Sequence, residues 1–322
     1  MYEWPPLPVS DPDLQAKRIA AALENAWDRV EKERQAVLSL VEEGLPKEQA
    51  LKRLRELQAA VSDFQDVAEV GATDLSTLVA GEYGAGVIYA GNRLRRPVRW
   101  TLFHRDAVEA LATDTYSDFL AASEAAGRTS QRFARVVRKA ARETLSWQAL
   151  GGTAEQSARD FRRLLEDKYR ISAIVYRDGS HHAVGEYVRM AARTKGKVAF
   201  NMGTLNKASE ENVSQVLVSD GMDCGWVSHK DSDKPNGTLR TLEEAREFPL
   251  AHPNCRRSFL PIPDKFRENF EEFLPENLED FEEDLDRLSR VEGVLSSRAV
   301  SSSSQRLSHV SDRLEKARKK LT

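Results

Sequence analysis

Over most of the first 150 positions, apolar residues recur at spacings of three and four, the period of a helix with one buried face. Ile19, Ala22, Leu23, Trp27, Val30, Val37, Leu38 and Val41 mark such a face in a segment that Asp11 or Asp13 can cap. Gly44 ends this run and Pro46 opens the next, where Leu51, Leu54, Leu57, Val61 and Phe64 continue the pattern. Two amphipathic helices joined by so short a link predict an αα-hairpin. Residues 71–100 are dotted with glycine and close on Arg93, Arg95, Arg96 and Arg99. A helix interrupted this way packs closely or bends, and close packing is the preferred reading. The helical period returns from Arg105 to Gly151, with a break expected near Ala126 and Gly127, and Gly151-Gly152-Thr153 then stops one helix and caps another.

The period changes at ISAIVYRDGSHHAV, where Ile171, Ala173 and Val175 alternate and Asp178-Gly179 can make a tight turn. A helix over GEYVRMAARTKGKVAFNMGTLNKASEE follows, then a strand at VSQVLVSD and a turn-rich loop, HKDSDKPNGTLR. TLEEAREFP reads as a short helix, and RRSFLPIP as a last strand with proline at its end. Residues 264–322 combine an acidic helix striped with Phe and Leu, a Ser-rich linker and a short terminal helix. The expected fold is mainly α with a small α+β domain. It divides into a helical docking region at 1–150, an α+β module at 151–263 and a helical arm at 264–322.

Composition agrees: 31% charged against 40% hydrophobic and 7% aromatic residues favours long solvated helices over a large sheet. The net charge of -3 masks local asymmetry, so the patches carry any argument about partners. No apolar run approaches the roughly 20 residues that span a bilayer, and the start lacks a leader pattern; a soluble protein made in a cytoplasm is expected.

Two cysteines in 322 residues cannot build a disulfide framework. Cys224 and His229 form one close pair and His252 and Cys255 another, across a loop, which is the tetrahedral set that a structural zinc prefers. Two open alternatives are thiols and histidines that only hydrogen-bond, and a Cys224–Cys255 disulfide. Asp223, Asp231 and Asp233 are nearby oxygen ligands that a solvated loop explains as well. His181-His182 is a pair only by name, because adjacent residues on a strand face opposite ways. Arg128, Arg132, Arg135, Lys139 and Arg142 lie on one helical face, which suits a phosphate backbone, an acidic protein surface or plain solvent. Only Phe133 is interleaved for base stacking, so a nucleic-acid contact there is expected to be electrostatic and independent of sequence. Nucleophile elbows and phosphate loops are missing from the chain, and no enzymatic activity is expected. The rival expectation is a metal-dependent hydrolase at the 224–255 loop, assisted by Glu186 or Asp220, with a sequence-independent DNA-binding protein as a third reading.

Taken in order, Tyr187, Val188, Met190, Arg193 and Thr194 at a helix start, a Val-rich strand, a cysteine loop and His252-Pro253-Asn254-Cys255-Arg256 resemble a family. The family is the minor head proteins of tailed phages, the phage Mu F-like head morphogenesis proteins, over roughly residues 150–263. The sequence departs from the commoner pattern in pairing Cys224 with His229 where many relatives carry two cysteines. It also ends the motif in Arg256-Arg257 where others have Arg-Cys or Arg-His. The resemblance implies a virion component in few copies, inside the head near the portal vertex. Its implied partners are the portal protein and other head components, with possible contact to packaged DNA and none to membrane.

Overall fold

The computed structural model describes residues 4–42, 47–142, 159–163, 165, 174–175, 181–219 and 238–263. The acidic arm and the Cys224–His229 segment lie outside them. Within the described residues the protein is mainly helical with a small three-stranded antiparallel sheet, as the sequence pattern requires.

Three long helices come first: α1 (Pro12–Glu42), α2 (Lys47–Arg93) and α3 (Leu102–Arg142). Asp11 caps α1 by accepting from the Leu14 N–H at 2.8 Å, and Pro12 takes the first helical position, where its missing N–H costs nothing. A two-stranded antiparallel hairpin, β1 (Ile174–Val175) with β2 (His181–His182), precedes α4 (Val184–Glu210). Then follow β3 (Gln215–Ser219), β4 (Leu239–Thr241), α5 (Leu242–Glu247) and β5 (Ser258–Ile262).

The chain forms two compact units, neither contiguous in sequence. The physical reason is helix length: each of the four long helices contributes residues to both units.

One unit holds residues 16–76 and 113–189. Its α1 and α2 segments run antiparallel: Trp27 meets Phe64 edge-on at 4.9 Å, Arg29 reaches Asp63, and Glu33 reaches Arg53. α3 runs antiparallel to α2 in turn, with Arg138 beside Gln58, Gly127 against Gln65, and Phe119 against Gly71. The predicted hairpin is therefore part of a three-helix bundle. Two details differ from the sequence pattern. Ala22 is exposed and Ala26 is buried in its place, because the stripe drifts around a helix of 3.6 residues per turn. The expected break at Ala126 and Gly127 is absent: α3 is continuous, and Gly127 makes room for the Gln65 side chain.

The other unit holds residues 1–15, 77–112 and 190–322. Here α2 and α4 run parallel and very close. A methyl group on Gly86 would strike the Phe200 carbonyl, and one on Gly203 would strike the Tyr83 carbonyl. The glycine-rich stretch thus packs closely within one uninterrupted helix. Gly81 and Gly84, earlier on α2, accept the backbone of the lead segment at Leu7 and Pro6. The sheet, in the order β4-β3-β5, lays Val216, Val218 and Phe259 against Leu205 and Ala208 of α4. β4 lies in the stretch read as loop, and Pro261 falls on an edge strand, where the lost N–H is tolerated.

Gly86→Ala is expected to destabilise the protein by about 1–3 kcal/mol, because backbone meets backbone and neither can yield. At Gly196 the added methyl would meet only the flexible ends of Leu78 and Glu82, at 3.2 and 3.3 Å. There the gain in helix propensity, about 1 kcal/mol, offsets the crowding. Chemical denaturation of the two variants checks this, and equal losses would refute the backbone-limited crossing.

Candidate functional site

The site is built on α4 and the loop between α5 and β5. Thr241 starts α5 with a capping box: its hydroxyl accepts from the Glu244 N–H at 3.2 Å, while the Glu244 carboxylate accepts from the Thr241 N–H at 2.9 Å. Past Phe248 the chain makes the turn His252-Pro253-Asn254-Cys255, closed by Cys255 N–H donating to the His252 carbonyl at 3.1 Å. Proline in the second position and Asn254 in the third, with φ of 59°, are the pattern of a type II turn. Asparagine tolerates the left-handed region that most side chains avoid.

A polar stripe on α4 holds this loop. Thr194 Oγ1 accepts from the Asn254 N–H at 3.2 Å, and Lys197 Nζ donates to Ser258 Oγ at 2.8 Å. Asn201 Nδ2 donates to the carbonyls of Pro249 and Arg257, at 2.8 and 2.9 Å. Spacings of three and four put these three side chains on one helical face. The sequence reading named Thr194 but missed Lys197 and Asn201, which sit among many other polar and charged residues of the helix.

Arg256 is exposed and Arg257 is buried, the alternation of adjacent residues on entering a strand. Arg257 donates to the Phe248 carbonyl at 2.9 Å. Pro253 is exposed at the turn. Arg193, also exposed, pairs with Asp13 at 3.4 Å. Met190 is half-buried, Tyr187 is buried and stacks on Phe119, and Val188 is fully buried.

Of the four expected metal ligands, His252 and Cys255 are described; Cys224 and His229 lie outside the described residues. His252 is buried, and its Nδ1 donates to the Pro253 carbonyl at 2.8 Å, which leaves the lone pair of the neutral ring on Nε2. Cys255 is a buried free thiol one turn away. The register pairs Ser219 with Ser258, so the strand leading to Cys224 ends beside the strand that Cys255 precedes. Among the described residues no group of three or more His, Cys, Asp or Glu could hold a metal ion. Glu186 is exposed in the first turn of α4, and Asp220 lies outside the described residues.

A second polar cluster had no signal in the sequence, because its members are far apart along the chain. Tyr83 and His104 are both fully buried, with the Tyr83 hydroxyl 2.8 Å from His104 Nδ1. His104 Nε2 lies 3.0 Å from a Glu210 oxygen, and Asn206 Nδ2 donates to the Tyr83 oxygen at 2.9 Å. Lys207, 1% exposed, reaches Glu211 at 2.6 Å and the Pro97 carbonyl at 3.0 Å. Burial pushes the Tyr83 hydroxyl up to about 12, the Asn206 hydrogen bond opposing, so it remains a donor to His104. For Glu210, burial raises the carboxyl and the contacts with His104, Thr101 and Lys207 outweigh it, holding it below its ordinary value. This chain resembles a catalytic relay, but burial bars a substrate from the tyrosine and histidine. Its role is to join α2, α3 and α4.

The basic face of α3 is placed as its spacing requires. Arg128, Arg132, Arg135 and Lys139 are exposed, and Arg128 pairs with Glu124 at 3.1 Å. The side chain of Arg142 lies outside the described residues. Phe133, the one aromatic interleaved with these bases, is fully buried and so offers no stacking face.

Because the folded-state value of Glu210 is depressed, its contribution to stability is present above the ordinary carboxylate range and is lost as pH falls through the folded value. Glu210→Gln should therefore lower stability near neutral pH by about 1–3 kcal/mol and flatten its decline in acid. Urea denaturation from pH 7 to 3 checks this; parallel curves for both proteins would refute it.

No family model, no curated protein and no solved structure matches this chain.

Proposed function

We propose that this chain is a minor head protein of a tailed phage, a structural component that associates with the portal protein inside the head and acts in assembly and DNA packaging or delivery. The observation that supports the reading is the hydrogen bond from the Asn254 N–H to Thr194 Oγ1. It joins the two ends of the motif on which the resemblance rests, sixty positions apart in sequence. The turn at 252–255 is thus tied to Thr194 of α4 within one compact unit. Among the described residues no helix is long and apolar enough to cross a membrane.

The reading includes a structural zinc held by Cys224, His229, His252 and Cys255. The tautomer set by the Pro253 carbonyl and the buried free thiol suit His252 and Cys255 to that role. A closed set of two thiolates and two imidazoles would tie the loop to the sheet edge and leave no open position for catalysis.

Co-expressed with the portal protein of the same virus, the chain is expected to co-sediment with it at moderate salt; separate migration would overturn the assignment. Elemental analysis tests the zinc independently. The purified chain should carry about one ion, and Cys255→Ser should lose it. Equal metal content in the two proteins would sink the zinc claim and leave the portal result standing.

A further inference from the structure

Residues 125–142 contain six basic side chains and no acidic one, and two of them, Arg135 and Arg138, line a groove of about 330 Å3 between α3 and α2. We propose that this groove and the arginine face beside it bind the phosphate backbone of duplex nucleic acid. The inference stands on residues that the head-protein reading does not use.

The groove walls are unusual in their chemistry. α2 contributes Gln58, Ser62 and Gln65, all neutral, while α3 contributes Gln131, Arg135 and Arg138. Leu57 and Val61 close the floor. Of the acidic residues on the same α2 segment, Asp63 pairs with Arg29 of α1 and Glu56 with Arg53, while Asp66, next in sequence to Gln65, is exposed. Arg138 Nη2 donates to Gln58 Oε1 at 2.9 Å, so a neutral amide orients the guanidinium without cancelling its charge. Arginine with amide and hydroxyl groups is the donor set that phosphate oxygens take in protein–DNA complexes.

Two observations favour a phosphate backbone over an acidic protein. Protein interfaces need apolar or aromatic anchors, yet Phe133 and Val137 are buried, and no large hydrophobic is exposed among the described residues of this face. Nor does an exposed aromatic offer a stacking platform, which removes single strands and base identity from the recognition. From Arg128 to Lys139 the helix rises about 16 Å, enough to follow about five phosphates of one strand.

The test is fluorescence anisotropy of a mixed-sequence 25-base-pair duplex, on the order of two helical turns, titrated with the full chain. With about three phosphates neutralised, affinity should fall roughly forty-fold between 50 and 200 mM salt. Arg135→Ala should lower the salt slope by about one, whereas Gln65→Ala should weaken binding a few-fold and leave the slope unchanged. Lys32→Ala, exposed on α1, serves as the control, and circular dichroism should show the same helix content in all four proteins. Failure to bind at 50 mM salt, or equal losses for Arg135→Ala and Lys32→Ala, would overturn the proposal. Binding of a polyglutamate peptide in place of the duplex would also overturn it, in favour of an acidic protein partner.

Discussion

The approach of α2 to α4 sets the terms for the unit that carries the sheet. At Gly86 and Gly203 the two backbones come so near that each glycine faces a carbonyl of the other helix, and Thr204 Oγ1 lies 3.3 Å from the Gly86 carbonyl. Glycine inside a helix costs about 1 kcal/mol relative to alanine, so the crossing is favourable only through what the closeness permits. It permits continuous van der Waals contact along two parallel helices, and it brings Tyr83 within reach of Asn206.

Beside the crossing, a buried polar cluster sits next to an apolar one formed by Val79, Ala80, Val87, Val108 and Ala199. Between close backbones there is little volume for large apolar side chains, while Tyr83, His104, Asn206 and Lys207 are long enough to project past the crossing and must then find partners. Tyr83 and Asn206 meet each other, Lys207 meets Glu211, and a Glu210 oxygen lies 3.0 Å from His104 Nε2. A satisfied buried network adds little net stability but penalises every other packing of the same helices. α4 then fixes the sheet through Leu205 and Ala208 and the 248–258 loop through Thr194, Lys197 and Asn201.

Much of this was legible in the residues. The α1–α2 hairpin follows from apolar periodicity broken at Gly44 and Pro46, and the antiparallel register of Trp27 with Phe64 follows from the short link. Glycines in α2 announced close packing but could not name the partner, since a glycine records the absence of a side chain and says nothing about what fills the space. β4 was illegible because three residues, Leu239–Thr241, carry no period; pairing with β3 alone makes them a strand. At the loop, Pro253-Asn254 was legible as turn chemistry, and the four residues from His252 to Cys255 have the pattern of a type II turn. The Tyr83–His104–Glu210 chain could not be read at all, because no local pattern links three helices.

α3 shows how one helix divides its period between packing and charge. Phe119, Ala126, Phe133 and Val137 recur at spacings of four and seven and are buried, which leaves the opposite positions, 128, 132, 135 and 139, to bases. A helix arranged this way cannot lend its aromatics to recognition without opening its own core. Whatever meets the basic face therefore meets charge and hydrogen-bond donors alone. A partner selected by those terms is selected for the density and spacing of its negative charge, which a phosphate backbone presents regardless of base sequence.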